Sequence, residues 1–338
     1  MSKVALLINL GSPRSPGVKD VKEYLGEFLM DDHVIDVPKI PRWLLVKGII
    51  LNVRPKKSAE AYKSIWWDEG SPLIALSERL VKKVREYSDY ETFLAMRYAA
   101  PSILSTLNEI HDKHPSLDEL YVVPLYPHFA MSSYESVVDR VKQLVEEHYP
   151  GLKLMFKKPW FDEKSYIKIL TKSISEVLPK DHHLLFSYHG IPVRHLRKSD
   201  PTSCHCYAVE DCCNVVSAAH GTCYKHQTTK TTALVVKGLG LKDGEYSTSY
   251  QSRLGRDPWI EPYTAERLEQ FPGEGKDKLA IVCPAFVSDC LETLEEINIE
   301  GREEFLSYGG TSFISIPCLN DRNDWAQLVA DWINKESL

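Results

Sequence analysis

His189 stands where a residue of its type can do chemistry. It lies in Phe186-Ser187-Tyr188-His189-Gly190-Ile191-Pro192, where an apolar run meets a loop. An imidazole at such a junction serves as a base or a metal ligand, because histidine titrates near working pH. One histidine among 12 is a weak signal alone. A second feature is Ser288-Asp289-Cys290-Leu291-Glu292-Thr293-Leu294-Glu295-Glu296. Read as a helix, it puts Asp289, Glu292, Glu296 and Glu303 on one stripe, away from Leu291, Leu294 and Ile297. That stripe is either a solvated acidic face or a row of carboxylates that handles a cation or relays protons. Asp289 in the first turn also answers the helix dipole.

Five of the eight cysteines fall in one stretch: Cys204, Cys206, Cys212, Cys213 and Cys223. Their pattern is C-x-C-x5-C-C-x9-C, interleaved with His205, His220 and His226. Packing gives no reason for such a cluster, and outside secreted proteins it reads as metal binding before disulfides. Thiolates with histidines suit Zn²⁺; four thiolates suit an iron–sulfur cluster. The spacing leaves both open. Adjacent Cys212 and Cys213 are poorly placed to ligate together, so one of them is expected to be spare. Pro41–Leu51 is almost wholly apolar, with Lys39 and Arg42 before it and Arg54, Lys56 and Lys57 after it. The pattern fits a buried core helix and a membrane-surface element with basic flanks equally well.

The elements that must position these residues follow an alternating rhythm. Val4–Leu10, Glu91–Met96, Leu120–Pro124 and Leu152–Phe156 read as strands, with helical patterns at Lys19–Leu29 and Ser136–His148. The rhythm restarts with a helix at Tyr166–Leu178 and strands at His183–Ser187, Tyr246–Gln251, Lys278–Cys283 and Phe313–Ile316. Thr229–Leu239, closed by Gly240, and Trp325–Asn334 read as helices. Strands alternating with helices predict an α/β protein with parallel sheets covered on both faces. Two such runs predict two similarly built domains, 1–158 and 159–320, followed by a C-terminal helix over 321–338. In such sheets ligands bind beyond the carboxyl ends of the strands, so a cleft lined by Gly11-Ser12, Arg97-Tyr98, Tyr126-Pro127-His128, Tyr188-His189, Gln251-Ser252-Arg253 and Phe286 is the expected site. The glycines after the first strand form neither G-x-G-x-x-G nor a phosphate loop, which excludes those nucleotide sites.

The chain has 338 residues, 43% of them hydrophobic, enough for a substantial core. A formal net charge of −6 argues against nucleic acid as a partner. The opening apolar run meets Gly11-Ser12-Pro13 too soon for a signal peptide, and no run is long enough to span a bilayer. The expected location is therefore the cytoplasm or a membrane surface.

Taken in order, the motifs resemble the ferrochelatase family over nearly the whole chain. They are Asn9-Leu10-Gly11-Ser12-Pro13, Gly70-Ser71-Pro72-Leu73, Met96-Arg97-Tyr98, and Pro124-Leu125-Tyr126-Pro127 with Ser132-Ser133. Ser187–Pro192 resembles the family's S-x-H-x-x-P, and Tyr250–Gly255 with Pro258-Trp259 its Q-S-[RK]-x-G-x-x-x-W. Cys283-Pro284 through Phe286, Asp289, Glu292 and Glu296 resembles its C-terminal motif. The resemblance implies two Rossmann-like domains facing across a cleft, and insertion of Fe²⁺ into a porphyrin to make haem. It implies His189 as the active-site histidine, Glu292 as the carboxylate opposite, and Glu296 next on the same helix face. His189 and Glu292 would also meet the incoming Fe²⁺. Leu10, Arg54, Tyr62, Ser71, Tyr98, Trp259 and Phe286 would line or rim the porphyrin pocket, and Trp43–Leu51 would be the apolar lip facing a membrane. The cysteine segment resembles the variant with an internal [2Fe-2S] cluster, which implies Cys204, Cys206, Cys223 and one of Cys212 or Cys213 as ligands. The chain's only cysteine beyond Cys290 is Cys318, so the cluster is not expected to draw on a C-terminal extension.

Leu10 and the apolar lip favour protoporphyrin IX over coproporphyrin as the ring. The rival readings are a coproporphyrin ferrochelatase, a chelatase for cobalt and a corrin precursor, and a non-catalytic haem carrier or iron–sulfur sensor. A peripheral membrane surface and a homodimer complete the expected partners.

Overall fold

The computed structural model describes residues 3–253, 255 and 257–335, so Leu254 of the Tyr250–Gly255 motif and residues 336–338 of the closing segment lie outside it. Two compact units emerge. One runs up to Tyr126, takes in Met131–Lys158 and resumes at Asn320; the other comprises Pro127–Ala130 and Pro159–Leu319.

The first unit holds a parallel sheet of β1 (Val4–Asn9), β2 (Glu91–Met96), β3 (Glu119–Pro124) and β4 (Lys153–Phe156), in the order β2-β1-β3-β4. All six residues of β1 are buried, as expected for a strand covered on both faces. Val4, Leu6 and Ile8 face a core with Phe93, Leu120 and Val122, closed by Ile103, Leu107 and Ile110 of one helix and Val137, Val141 and Leu144 of another. Each such side chain contributes roughly 1.5–3 kcal/mol on burial.

The second unit repeats the plan with β5 (His183–His189), β6 (Tyr246–Gln251), β7 (Lys278–Val282) and β8 (Ser312–Ser315), in the order β6-β5-β7-β8. Leu185, Leu279 and Ile281 pack with Leu268, Phe271, Ile297 and Phe305. In both units the first strand lies between the second and the third, so the crossovers leave it in opposite directions. That reversal opens a crevice at the carboxyl end of the first strand. Asn9-Leu10 occupies this place in one sheet and His189 in the other.

Two helical segments differ from expectation. The carboxylate segment is not an α-helix but a π-helix over Glu292–Gly301, continued by an α-helix over Arg302–Ser307. The apolar segment is one continuous helical stretch: Lys39–Trp43, a π-helix over Leu44–Ile50, then Leu51–Ile65. It is not a buried core helix. Val46 and Leu51 are buried, but Ile40 (74%), Trp43 (53%), Ile49 (59%) and Val53 (73%) face outward. Arg42 is buried and donates to the Ile35 carbonyl at 3.1 Å, fixing the start of this stretch.

Candidate active site

On the second unit the site is built at the carboxyl ends of β5, β6 and β7. His189 is the last residue of β5, in register with Gln251 at the end of β6. Gly190 follows, and its N–H donates to the Gln251 carbonyl at 2.8 Å. A Cβ on Gly190 would stand 2.8 Å from that carbonyl oxygen and 3.1 Å from the Trp259 ring, so only glycine permits this approach. The His189 ring is half-buried, with Trp259 centred 6.5 Å away and Phe286 6.3 Å away. His189 Nδ1 lies 2.6 Å from the Gly190 carbonyl oxygen. A carbonyl only accepts, so Nδ1 carries the hydrogen and the lone pair of the neutral ring is on Nε2.

Beneath His189 lies a buried hydroxyl network. Ser187 Oγ donates to Gln251 Oε1 at 2.7 Å and lies 2.9 Å from Thr264 Oγ1, which is 2.8 Å from Ser249 Oγ. These bonds lock the ends of β5 and β6 together, so His189 stands on rigid backbone.

The loop after β7 carries Phe286 and leads into the Glu292–Gly301 π-helix. Wider turns keep residues four apart near one another, so Glu292, Glu296 and Glu300 share a side, while Glu303 belongs to the α-helix beyond and is exposed. Glu296 Oε2 accepts a 2.6 Å hydrogen bond from Ser252 Oγ. Burial, and then the charge of Glu292, push the Glu296 carboxyl up to about 7, against the Ser252 hydroxyl, which opposes the rise. Ser252 itself has φ +62°, a left-handed conformation in which non-glycine residues are strained and which tends to mark functional sites. Asp289, the expected first member of the stripe, is buried instead. It accepts from Thr293 Oγ1 at 2.9 Å and from the Cys318 N–H at 3.4 Å, which fixes the entry to the helix.

On the first unit, Leu10 is half-buried at the end of β1 and Arg54 is exposed, while Tyr62 and Ser71 are buried. Gly11 has φ +108°, and a Cβ there would fall 2.0 Å from the Tyr98 carbonyl oxygen. Tyr98 is only 1% exposed and therefore offers no open ring face; its hydroxyl donates to Asp31 Oδ2 at 2.7 Å. Asp31 Oδ2 also accepts from Ser136 Oγ at 2.6 Å and pairs closely with Arg97. Asp31 Oδ1 takes the His33 backbone N–H at 2.8 Å and His33 Nδ1 at 3.1 Å, and His33 Nε2 reaches Asp139 at 3.1 Å. Burial pushes the Asp31 carboxyl up, but the His33 bond, the Arg97 charge and the Ser136 hydroxyl outweigh it and hold it far below the carboxylate range. The Asp31 bond raises His33 to about 9. Sequence reasoning missed Asp31 and His33; the run Asp31-Asp32-His33 directly after a helix was the available signal.

The cysteine segment joins the second unit. Asp200 organises its start by accepting the N–H groups of His205 (2.8 Å) and Cys206 (2.9 Å). The thiols of Cys206 and Cys213 both hydrogen-bond Cys223, and the Cys213 bond lowers the Cys223 thiol to about 6 against burial. Cys212 is buried beside them, while Cys204 is exposed, its Sγ 3.8 Å from Thr202 Oγ1. His205 Nε2 and His220 Nε2 both donate to the Cys212 carbonyl, at 2.7 and 3.0 Å, and His226 Nδ1 donates to the Cys213 carbonyl at 2.7 Å. The histidines thus grip the backbone of the Cys212-Cys213 turn.

The doubled sheet, with reactive groups beyond the carboxyl ends of its strands, has the architecture of a chelatase. Among solved structures it is similar to SirB from Bacillus subtilis with Fe³⁺, with a TM-score of 0.56 at 11% identity, covering 100% of this chain and 97% of that one. It is also similar to the sirohydrochlorin chelatase SirB from Bacillus subtilis subspecies spizizenii in complex with cobalt, with a TM-score of 0.55 at 10% identity, covering 99% and 97%. These likenesses establish the fold. In sequence, residues 3–337 match the ferrochelatase family. The ferrochelatase of Pseudomonas fluorescens strain Pf0-1 is 47% identical over 328 residues, 96% of this chain and 95% of that protein. The ferrochelatase of Opitutus terrae is 45% identical over 334 residues, 98% and 96% respectively. The chain belongs to the ferrochelatase family, lyases that insert a metal into a porphyrin in haem synthesis, and Fe²⁺ is its metal substrate.

Proposed function

We propose that the protein inserts Fe²⁺ into protoporphyrin IX, with His189, Glu292 and Glu296 as its working groups. The observation that carries this reading is the fixed tautomer of His189, whose Nε2 is left as a base beside two aromatic rings. Insertion exchanges two pyrrole N–H protons for one Fe²⁺. His189 Nε2 accepts a pyrrole proton. Trp259 and Phe286 press on the macrocycle, and binding energy from the rest of the ring bends it so that a nitrogen lone pair points outward. Imidazole and carboxylate are suitable ligands for Fe²⁺, so His189 and Glu292 receive the metal. Glu296, held near neutrality, exchanges protons at working pH and passes them along the helix face. Leu10, Arg54, Tyr62 and Ser71 rim the ring. Tyr98, with no open ring face, holds Asp31 through its hydroxyl.

The outward face of Ile40, Trp43, Leu44, Ile49 and Val53, with Lys39, Lys47, Arg54 and Lys56 exposed around it, supports a membrane-borne, apolar ring over coproporphyrin. It would rest the protein on the cytoplasmic surface of a membrane. Among the described residues no helix is long and apolar enough to cross one. A homodimer through the same face is the competing occupant.

The cysteine segment is read as the holder of a [2Fe-2S] cluster, with Cys204, Cys206, Cys223 and one of Cys212 or Cys213 as ligands. The donor set supports this. The Cys206 and Cys213 thiols converge on Cys223, and the three histidines are committed to carbonyls. A bound cluster would supply one-electron redox capacity and a covalent tie across the loop.

Anaerobic Fe²⁺ insertion into protoporphyrin, with coproporphyrin in parallel, tests the reading by porphyrin absorbance and fluorescence. Rapid conversion of protoporphyrin is expected. Activity on coproporphyrin alone would change the substrate and keep the mechanism. Haem binding without metallation of either ring would favour a carrier or sensor.

A further inference from the structure

The helix Tyr224–Leu239 buries an unusual face. Its inward stripe is Tyr224, Gln227, Thr228, Thr231, Thr232, Val235 and Val236. A core-facing stripe is ordinarily apolar, and buried polar groups are costly unless bonded. Here Gln227, Thr228, Thr231 and Thr232 are all bonded, to different parts of the second unit. Thr228 gives its hydroxyl hydrogen to the Lys225 carbonyl at 3.0 Å, so Tyr250 OH donates to Thr228 Oγ1 at 3.1 Å. Thr232 Oγ1 meets Tyr188 OH at 2.8 Å. Thr231 gives its hydrogen to the Phe161 carbonyl, so His128 Nε2 donates to Thr231 Oγ1 at 2.9 Å. Gln227 Oε1 accepts the Phe129 N–H at 2.7 Å, while its Nε2 donates to the carbonyls of His220 (3.2 Å) and Gly221 (3.0 Å).

Both ends of this element reach groups that do chemistry. Its N-cap is Cys223, whose Sγ accepts the His226 N–H at 3.5 Å, and His226 grips the Cys213 carbonyl. Its flank holds Tyr188 and Tyr250, which are paired in register and immediately precede His189 and Gln251. The cysteine segment and the catalytic strand ends thus share one rigid helix through directional bonds.

We propose that the helix Tyr224–Leu239 couples the ligation state of the cysteine segment to His189, with Thr228 and Thr232 as positioning residues that act through Tyr250 and Tyr188. Emptying the segment releases the helix N-terminus; the helix shifts, and the two tyrosines carry the shift to the ends of β5 and β6. The proposal rests on the reading that the segment holds a [2Fe-2S] cluster.

The test compares wild type with Thr228→Val/Thr232→Val and Thr228→Ser/Thr232→Ser, each as full chain reconstituted anaerobically with iron and sulfide, then stripped by a chelator. Visible absorption reports loading. Amide hydrogen exchange at 187–190 and 249–251 reports the strand ends independently of turnover. Stripping is expected to speed that exchange about tenfold in wild type and the serine pair, within the usual range for coupled sites. In the valine pair the response is expected to fall below about twofold. An equal response in all three proteins overturns the proposal, and so does a wild type whose strand ends ignore stripping. If the valine pair fails to fold, Thr232→Val alone is read the same way, with a partial loss of response expected. If reconstituted wild type shows no cluster absorption, the cluster reading fails by itself. Cys223→Ser then replaces stripping, and the coupling stands only if the valine pair blunts that variant's effect.

Discussion

Nδ1 of His189 is held by the next carbonyl, which leaves Nε2 as the free acceptor of the neutral ring, and burial brings the Glu296 carboxyl up to about 7. If ionised Glu296 removes protons, insertion falls about tenfold per pH unit below that value, and Glu296→Gln flattens this limb of the pH–rate profile. The same shift has a consequence for stability. The folded carboxyl titrates at about 7 against an ordinary 4.5, so the folded state binds the extra proton in that window. Stability from this group is present below 4.5 and is lost as pH rises to about 7. Urea unfolding should therefore find Glu296→Gln more stable than wild type at pH 8 and unchanged at pH 4. Asp31 is the structural counterpart on the first unit. Asp31→Asn leaves Arg97 without its buried partner and should cost about 3 kcal/mol in urea unfolding. His189, Glu292 and Glu296 could be singled out as candidates because each sits in a contiguous motif. Asp31 was not, because Arg97 and Ser136 lie 66 and 105 residues away and only the fold brings them together.

At the scale of elements, strands were the easiest to read. Val4–Asn9 and His183–His189 are short apolar runs buried on both faces, and their composition alone separates them from helices. The π-helix over Glu292–Gly301 was not readable. Carboxylates four apart satisfy both an α-helical and a wider turn, and packing decides between them. The segment Pro41–Leu51 was ambiguous for a related reason: apolar content does not say which way side chains point, and the structure turns Trp43, Ile49 and Val53 outward. If this face meets lipid, Trp43→Ser/Ile49→Ser/Val53→Ser should weaken binding to anionic vesicles by at least about tenfold. Sedimentation with vesicles measures this, and unchanged protoporphyrin turnover in detergent would separate docking from catalysis.

Over the whole molecule, one strand order is used twice, β2-β1-β3-β4 and β6-β5-β7-β8, and each copy opens a crevice beside its first strand. The alternation of strand and helix made that plan legible. The placing of Pro127–Ala130 with the second unit was not, since it depends on His128 and Phe129 reaching Thr231 and Gln227 about a hundred residues on. The cysteine segment was conspicuous by count, but which thiols converge was not. If the segment holds a [2Fe-2S] cluster, Cys223→Ser abolishes cluster absorption and lowers the Tm by about 5 °C in a thermal scan. Whether His189 takes the pyrrole proton is measured by anaerobic Fe²⁺ insertion with His189→Ala, alongside porphyrin binding by fluorescence quenching. Loss of turnover by about 10²–10⁴-fold is predicted, with porphyrin affinity held within about threefold; wild-type-like turnover in that variant would contradict the account.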